Sequence, residues 1–173
     1  TDVHLEKITT SEMDIYKFTP NNSQEDTFGI YFHGGGYYNG SITAYKNIVS
    51  QFTYELQIPM YYFEYSLTPE FLFPAAHEDA KKAVEIISKL ETSKQTIWMG
   101  DSAGGGLATG ILVDKTFDIS PDKLILMSPW LDLSDENKDR KYLKNKDILL
   151  AIDGVKNIGE YYAGEYGLSL IHI

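Results

Sequence analysis

Two short strings in this 173-residue chain combine residue types that could do chemistry. One is Gly100-Asp101-Ser102-Ala103-Gly104. A serine hydroxyl is a weak nucleophile until a sharp turn projects it toward a substrate, a base and donors for developing negative charge. Small residues on either side of Ser102 permit such a turn. Three fixed residues in five recur by chance, so the pentapeptide alone reads equally well as a Gly/Ser-rich helix start without chemistry. The other string is His33-Gly34-Gly35-Gly36. Three glycines let the backbone turn tightly and present bare N–H groups to an oxyanion. The matching donor from the first string would be the N–H of Ala103, next to the serine. A flexible glycine turn is the plainer alternative. His33 is read as ordering that loop by hydrogen bonding rather than as a base.

Both strings need strands to position them. Residues 3–8 and 14–18 read as a strand hairpin, and residues 28–32 as a third strand running straight into the glycine cluster. Tyr45, Ile48, Val49, Phe52 and Leu56 follow the spacing of a helix with one buried face, closed by Pro59. Residues 60–65 form the next strand, and Ala76, Ala80, Ala83, Val84, Ile87 and Leu90 mark a second helix. A strand at 96–99, a helix from the Gly-rich segment to about Asp114 and a strand at 123–127 follow. Residues 135–146 read as a solvated connection and 148–162 as a weakly patterned helix. Alternating strands and helices imply an α/β domain with a mostly parallel sheet and helices on both faces. Such sheets place their sites at the carboxyl ends of the strands, where both strings fall. That coincidence disfavours the plain-turn readings.

Composition narrows the partners. The length allows one domain or a large part of one. A net charge of −10 argues against nucleic acid or an anionic membrane surface as the main partner. The absence of cysteine excludes disulfides, a thiol nucleophile and thiolate metal sites, and no metal site is expected. No stretch approaches the roughly 18 apolar residues of a membrane span. The start, Thr1-Asp2-Val3-His4-Leu5-Glu6, lacks the layout of a secretory signal and an initiator Met, so a fragment or processed, cytoplasmic chain is expected.

Four segments carry a family resemblance: His33–Gly36, Tyr65-Ser66-Leu67-Thr68-Pro69-Glu70 through Phe73-Pro74-Ala75-Ala76, Gly100–Gly105, and Ser128-Pro129-Trp130-Leu131-Asp132-Leu133. In order and spacing the chain resembles the hormone-sensitive-lipase-like branch of the α/β-hydrolases, the esterases with a His-Gly-Gly-Gly motif, from residue 3 to about 166. The resemblance implies hydrolysis of carboxylic esters, usually of short acyl chains, without a cofactor. It makes Ser102 the nucleophile and gives the oxyanion-hole N–H groups to Gly35, Gly36 and Ala103. Gly34 takes a more structural role, and Asp101 supports the turn rather than serving as the triad acid. Tyr37 and Tyr38, just after the glycine run, are expected at the substrate pocket, with plain packing as the alternative.

The pattern breaks after Ser102. In this family an acid and then a histidine follow the serine, each after a later strand. The one later histidine is His172, and His4, His33 and His77 have neither the order nor the context. Asp132, Asp135, Asp139, Asp147 and Asp153 follow no recognisable further strand, so neither acid nor base is assigned. The last six residues match what a sequencing adapter encodes in one frame. The expectation is a partial domain over 1–167, missing the last strands and helices of the sheet, with a non-native tail at 168–173. The strand at 123–127 would then be an apolar edge, prone to aggregation, and the fragment inactive. Two rivals stay open on the same fold: a small-ligand-binding protein without catalysis, as in the plant gibberellin receptors that resemble this family, and a peptidase or amidase. Oligomeric state is not legible.

Overall fold

The computed structural model describes residues 2–24, 26–91, 94–134, 150 and 152–164. Its elements run β1 (Val3–Thr9), β2 (Asp14–Pro20), β3 (Thr27–Phe32), α1 (Ile42–Leu56), β4 (Met60–Phe63), α2 (Ala75–Leu90), β5 (Gln95–Asp101), α3 (Ser102–Val113), β6 (Lys123–Met127) and α4 (Ile152–Ala163). The six strands make one sheet in the order β1-β2-β4-β3-β5-β6. β1 pairs antiparallel with β2, and β2 antiparallel with β4. From β4 onward through β3, β5 and β6 every pairing is parallel. The expected hairpin and mostly parallel sheet are both present.

Strand alternation divides the core between the two faces. Ile30, Phe32, Tyr61, Phe63 and Trp98 point to one face and pack with Ala80, Val84 and Ile87 of α2 and Leu107 and Ile111 of α3. Tyr31, Met60, Tyr62 and Met99 point to the other and pack with Val49 of α1. β4 is buried at all four positions, so Met-Tyr-Tyr-Phe reads as a continuous apolar run instead of alternating. β6 has a strand neighbour on one side among the described residues, and its Ile125 is 39% exposed.

Both long helices differ in part from their expected faces. In α1 the buried residues are Val49 and Thr53, whereas Ile48 and Leu56 are exposed. Thr53 tolerates burial because its hydroxyl donates to the Val49 carbonyl, 2.8 Å away. Ser41 caps the start of α1 by accepting from the Ala44 N–H, and Gln57 in the left-handed region (φ 55°) ends it. In α2 the expected stripe is buried from Ala76 to Ile87, but Leu90, on the final turn, is exposed. No helix among the described residues is long and apolar enough to cross a membrane. The connection expected at 135–146, the tail at 168–173, His172, Asp135, Asp139 and Asp147 lie outside the described residues.

Candidate active site

Three neighbouring parallel strands deliver three loops to one end of the sheet. Phe32 at the end of β3 pairs with Gly100 of β5, and Asp101 pairs with Met127 at the end of β6. The chain therefore leaves the sheet side by side at His33, Ser102 and Ser128. Carboxyl ends of parallel strands are where such folds bind ligands.

Ser102 is the first residue of α3 and has φ 50°, in the left-handed region that costs an L-residue roughly 1–2 kcal/mol. The strain turns the chain sharply from strand to helix. Its carbonyl accepts from the Trp130 N–H at 2.8 Å, which ties the turn to the loop after β6. The turn also needs α3 to press against β3. A Cβ on Gly104 would collide with the carbonyl oxygens of Phe32 and His33, so only glycine fits.

Asp101 occupies the N-cap position of α3, yet its side chain makes no capping bond to that helix. It turns across to the glycine loop. Oδ1 accepts from the Gly34 N–H at 2.9 Å and from the Tyr31 hydroxyl at 3.0 Å, and Oδ2 accepts from the Tyr45 hydroxyl at 3.2 Å. Burial and then the charge of Asp101 push the Tyr45 hydroxyl up to about 12, so it stays a donor. One side chain thus fastens β5 to β3, to α1 and to the glycine loop. The first N–H groups of α3, Ala103 among them, have no intrahelical acceptor. With the Asp101 side chain turned away, it does not cap them, and they lie at the positive end of the helix dipole, which favours an anion.

Gly35 and Gly36 have φ 111° and 64°. A Cβ on Gly35 would strike the Asn39 carbonyl, so the turn excludes any other residue. The Gly35 carbonyl closes the turn by accepting from the N–H groups of Tyr38 and Asn39. His33 is fully buried, stacked on Tyr65 with ring centroids 4.0 Å apart. Its Nδ1 lies 2.8 Å from the Gly34 carbonyl, which makes Nδ1 the protonated nitrogen and Nε2 a lone-pair atom. Burial holds the imidazole near a pKa of about 4, against the upward pull of that carbonyl and of Asp101. A neutral, enclosed ring that bonds its own loop orders that loop. His77 sits away from this cluster, paired with Asp114 at 3.4 Å.

A cavity of ≈ 410 Å³ opens over these loops. Gly35, Gly36, Tyr38 and Ser102 line it, so four of the residues singled out in the sequence share one wall. Tyr37 does not. It is 3% exposed and stacks on Tyr162 of α4 with centroids 3.9 Å apart. Tyr37 thus takes the packing role given as the alternative, and it is not among the described residues lining this cavity. The remaining lining comes from Ser128, Pro129 and Trp130 after β6 and from Leu150, Val155 and Ile158 in or before α4. None was singled out as a site residue. Position after a parallel strand could have flagged Ser128, whose φ of 45° repeats the strained geometry of Ser102. The weak patterning of α4 gave no signal for Val155 or Ile158. Asp132 is engaged locally, accepting from the Ser134 N–H and hydroxyl.

Residues 29–171 match the family described as alpha/beta hydrolase fold. The chain is 30% identical over 136 residues to an acetyl-hydrolase of Streptomyces hygroscopicus, covering 77% of the chain and 46% of that protein. It is 28% identical over 132 residues to an esterase of Acinetobacter venetianus, covering 73% of the chain and 43% of that protein. It superposes on the crystal structure of a hormone-sensitive lipase from a metagenome library with a TM-score of 0.86 and 26% identity, covering 96% of this chain and 57% of that one. A strained serine turn facing a glycine loop across parallel strands, together with these matches, places the chain in the α/β-hydrolase fold family, in its hormone-sensitive-lipase-like branch. The chain spans about half the length of the curated relatives it matches.

Proposed function

We propose that this chain carries the nucleophile and oxyanion hole of a carboxylic ester hydrolase acting on small or short-acyl esters. The observation that carries the reading is Ser102, held at φ 50° at the head of α3 and sharing one cavity with Gly35 and Gly36. The esterase and acetyl-hydrolase names of its relatives support it. Ser102 Oγ attacks the ester carbonyl carbon, and the N–H groups of Gly35, Gly36 and Ala103 hold the resulting oxyanion. Collapse breaks the bond to the alcohol, which leaves with the serine proton, and water then releases the acid from the acyl-serine. His33, Gly34 and Asp101 keep the two loops in register. Tyr38 forms part of the substrate wall.

The reading assigns no general acid or base. Of the described histidines, His4, His33 and His77, none lines the cavity. An oxyanion hole with binding alone supplies roughly 10³–10⁴-fold over water. The partner is a small ester, bound without a cofactor.

The test is intact-mass and peptide analysis of the chain after exposure to a p-nitrophenyl phosphonate, alongside Ser102→Ala. Oγ forms a bond to phosphorus, nitrophenolate leaves and the serine proton passes to solvent. The expected result is one adduct, on Ser102, absent from the variant. A cooperatively melting chain with no adduct on Ser102 above that on its other serines overturns the nucleophile assignment. Binding of intact esters by such a chain would make the cavity a ligand site without catalysis.

A further inference from the structure

A second cavity, of ≈ 340 Å³, lies beside the one over Ser102. Its walls are Tyr38, Thr68, Pro69, Asn157, Ile158 and Tyr161. Tyr38 and Ile158 border both cavities, and among the described residues these two side chains are the ones common to both. The wall they form is unequal in firmness. Ile158 is seated on α4 and half-buried, with a methyl group facing Gly36. Tyr38 is 54% exposed, and its hydroxyl makes no hydrogen bond among the described residues. Its ring lies over Gly36, where an added Cβ would come within 3.1 Å of it. An exposed ring that rests on a glycine, with no hydrogen bond to a described residue, can swing between rotamers at small cost. The side facing Ser102 and the side facing Pro69 then become one space.

The chemistry of the second cavity limits what can enter. Among the described residues its walls present tyrosine rings, a proline and an isoleucine, with Thr68 and Asn157 as the polar members and no charged side chain. Thr68 has its hydroxyl committed to the Tyr37 carbonyl at 3.1 Å. A surface of that kind favours an uncharged hydrocarbon arm and penalises a carboxylate or ammonium, whose desolvation nothing there offsets.

Resting on the reading of Ser102 as nucleophile, we infer that Tyr38 is a movable partition and a specificity-determining residue. It separates a cavity for the reacting ester group from a second one that takes the far end of a longer, uncharged alkyl arm. Short esters use the first cavity alone, and longer ones displace the Tyr38 ring and extend along Pro69 and Tyr161.

The test compares ethyl and octyl p-nitrophenyl phosphonates by the rate at which each adds to Ser102, in the wild-type chain, Tyr38→Ala and Asn157→Trp. Tyr38→Ala removes the partition and should raise the octyl-to-ethyl rate ratio about tenfold, given the 10–200-fold that one methylene can be worth in an apolar pocket. Asn157→Trp fills the second cavity from an exposed helix position and should lower the ratio by a similar factor. If Tyr38→Ala fails to melt cooperatively, Asn157→Trp decides. Adducts on Ser102 with the same ratio in all folded proteins overturn the partition while leaving the nucleophile reading intact. No adduct from either phosphonate overturns both.

Discussion

Replacing Ser102 by glycine and by alanine separates the chemistry of that residue from the backbone geometry that presents it. Both variants lose the hydroxyl. Only glycine also loses the Cβ that makes φ 50° costly. Strain at a left-handed L-residue is roughly 1–2 kcal/mol, and alanine keeps it. Glycine carries an extra unfolded-state entropy of about 0.4–1 kcal/mol, which offsets part of the relief. The net expectation is that Ser102→Gly is more stable than Ser102→Ala by about 1 kcal/mol. For a chain of this size that is about 2–4 °C in melting temperature. With a urea m-value of roughly 1–3 kcal/mol/M, it is about 0.3–1 M in midpoint. The backbone bond from Trp130 N–H to the residue 102 carbonyl is common to both variants, so it cancels. The assay is paired urea titration at low micromolar concentration, with far-UV signal and tryptophan fluorescence required to coincide. Equal midpoints, or alanine above glycine, would show that residue 102 is not held in the left-handed region. The strained turn proposed to present Ser102 would then be refuted, whatever the activity.

Three further outcomes follow from side-chain contacts in the structure. His33 should make stability acid-sensitive. Its folded pKa of about 4 lies below the ordinary 6.5, so the unfolded chain binds a proton first. The contribution is whole above 6.5 and lost as pH falls from 6.5 toward 4. His33→Phe keeps the stacking on Tyr65 and should flatten the midpoint over that window, down to the residue left by His77, whose pKa burial also lowers; an unchanged slope would show that His33 is not the group responsible. Asp101→Ala strands the Gly34 N–H and the Tyr31 and Tyr45 hydroxyls and should cost about 3 kcal/mol, against about 1 for Tyr45→Phe. In the Asp101→Ala background Tyr45→Phe should cost nothing further, and full additivity in the double-mutant cycle would refute the shared contact. Burial acts to raise the Glu91 carboxyl, but the hydrogen bonds from Lys17, Lys94 and Tyr61 outweigh it and hold it at about 2. Its contribution is present above 4.5 and lost as pH falls from 4.5 to 2, so Glu91→Gln should remove that dependence from a pH series of midpoints.

Much of the fold was legible because burial on two sides of a sheet writes a strong pattern. β3 and β5 read as apolar runs leading into glycine, β4 as an apolar run entered after Pro59, and α2 as a stripe from Ala76 to Ile87. The misread helix positions are ones where spacing alone does not say how wide the buried stripe is. Ile48 falls one position from Val49 and faces solvent, while Thr53 is buried because its hydroxyl has a local partner. Tyr37 and Tyr38 show the limit more sharply. They are identical residues side by side in an aperiodic turn, and one is core while the other is pocket wall. Nothing in their order distinguishes them, because the distinction is made by Tyr162, more than a hundred residues later.

The site was legible for a different reason, which lies in how its two strings depend on each other. Gly104 must lack a side chain because the carbonyls of Phe32 and His33 lie where its Cβ would be. Gly34 must lack one because the Asp101 carboxyl lies in the same relation to it. Each string is therefore shaped by atoms of the other, across nearly seventy residues of chain, and neither can be changed alone. A glycine turn or a Gly/Ser-rich helix start taken singly has many causes. Two whose glycines each clear a space for the other have one, the packing of two adjacent strand ends around a common cavity. The residues absent from both strings, Ser128, Trp130 and Ile158, touch that cavity through side chains or strained backbone that no neighbour in sequence requires. For that reason the pair of loops could be read from the sequence while the far wall they face could not.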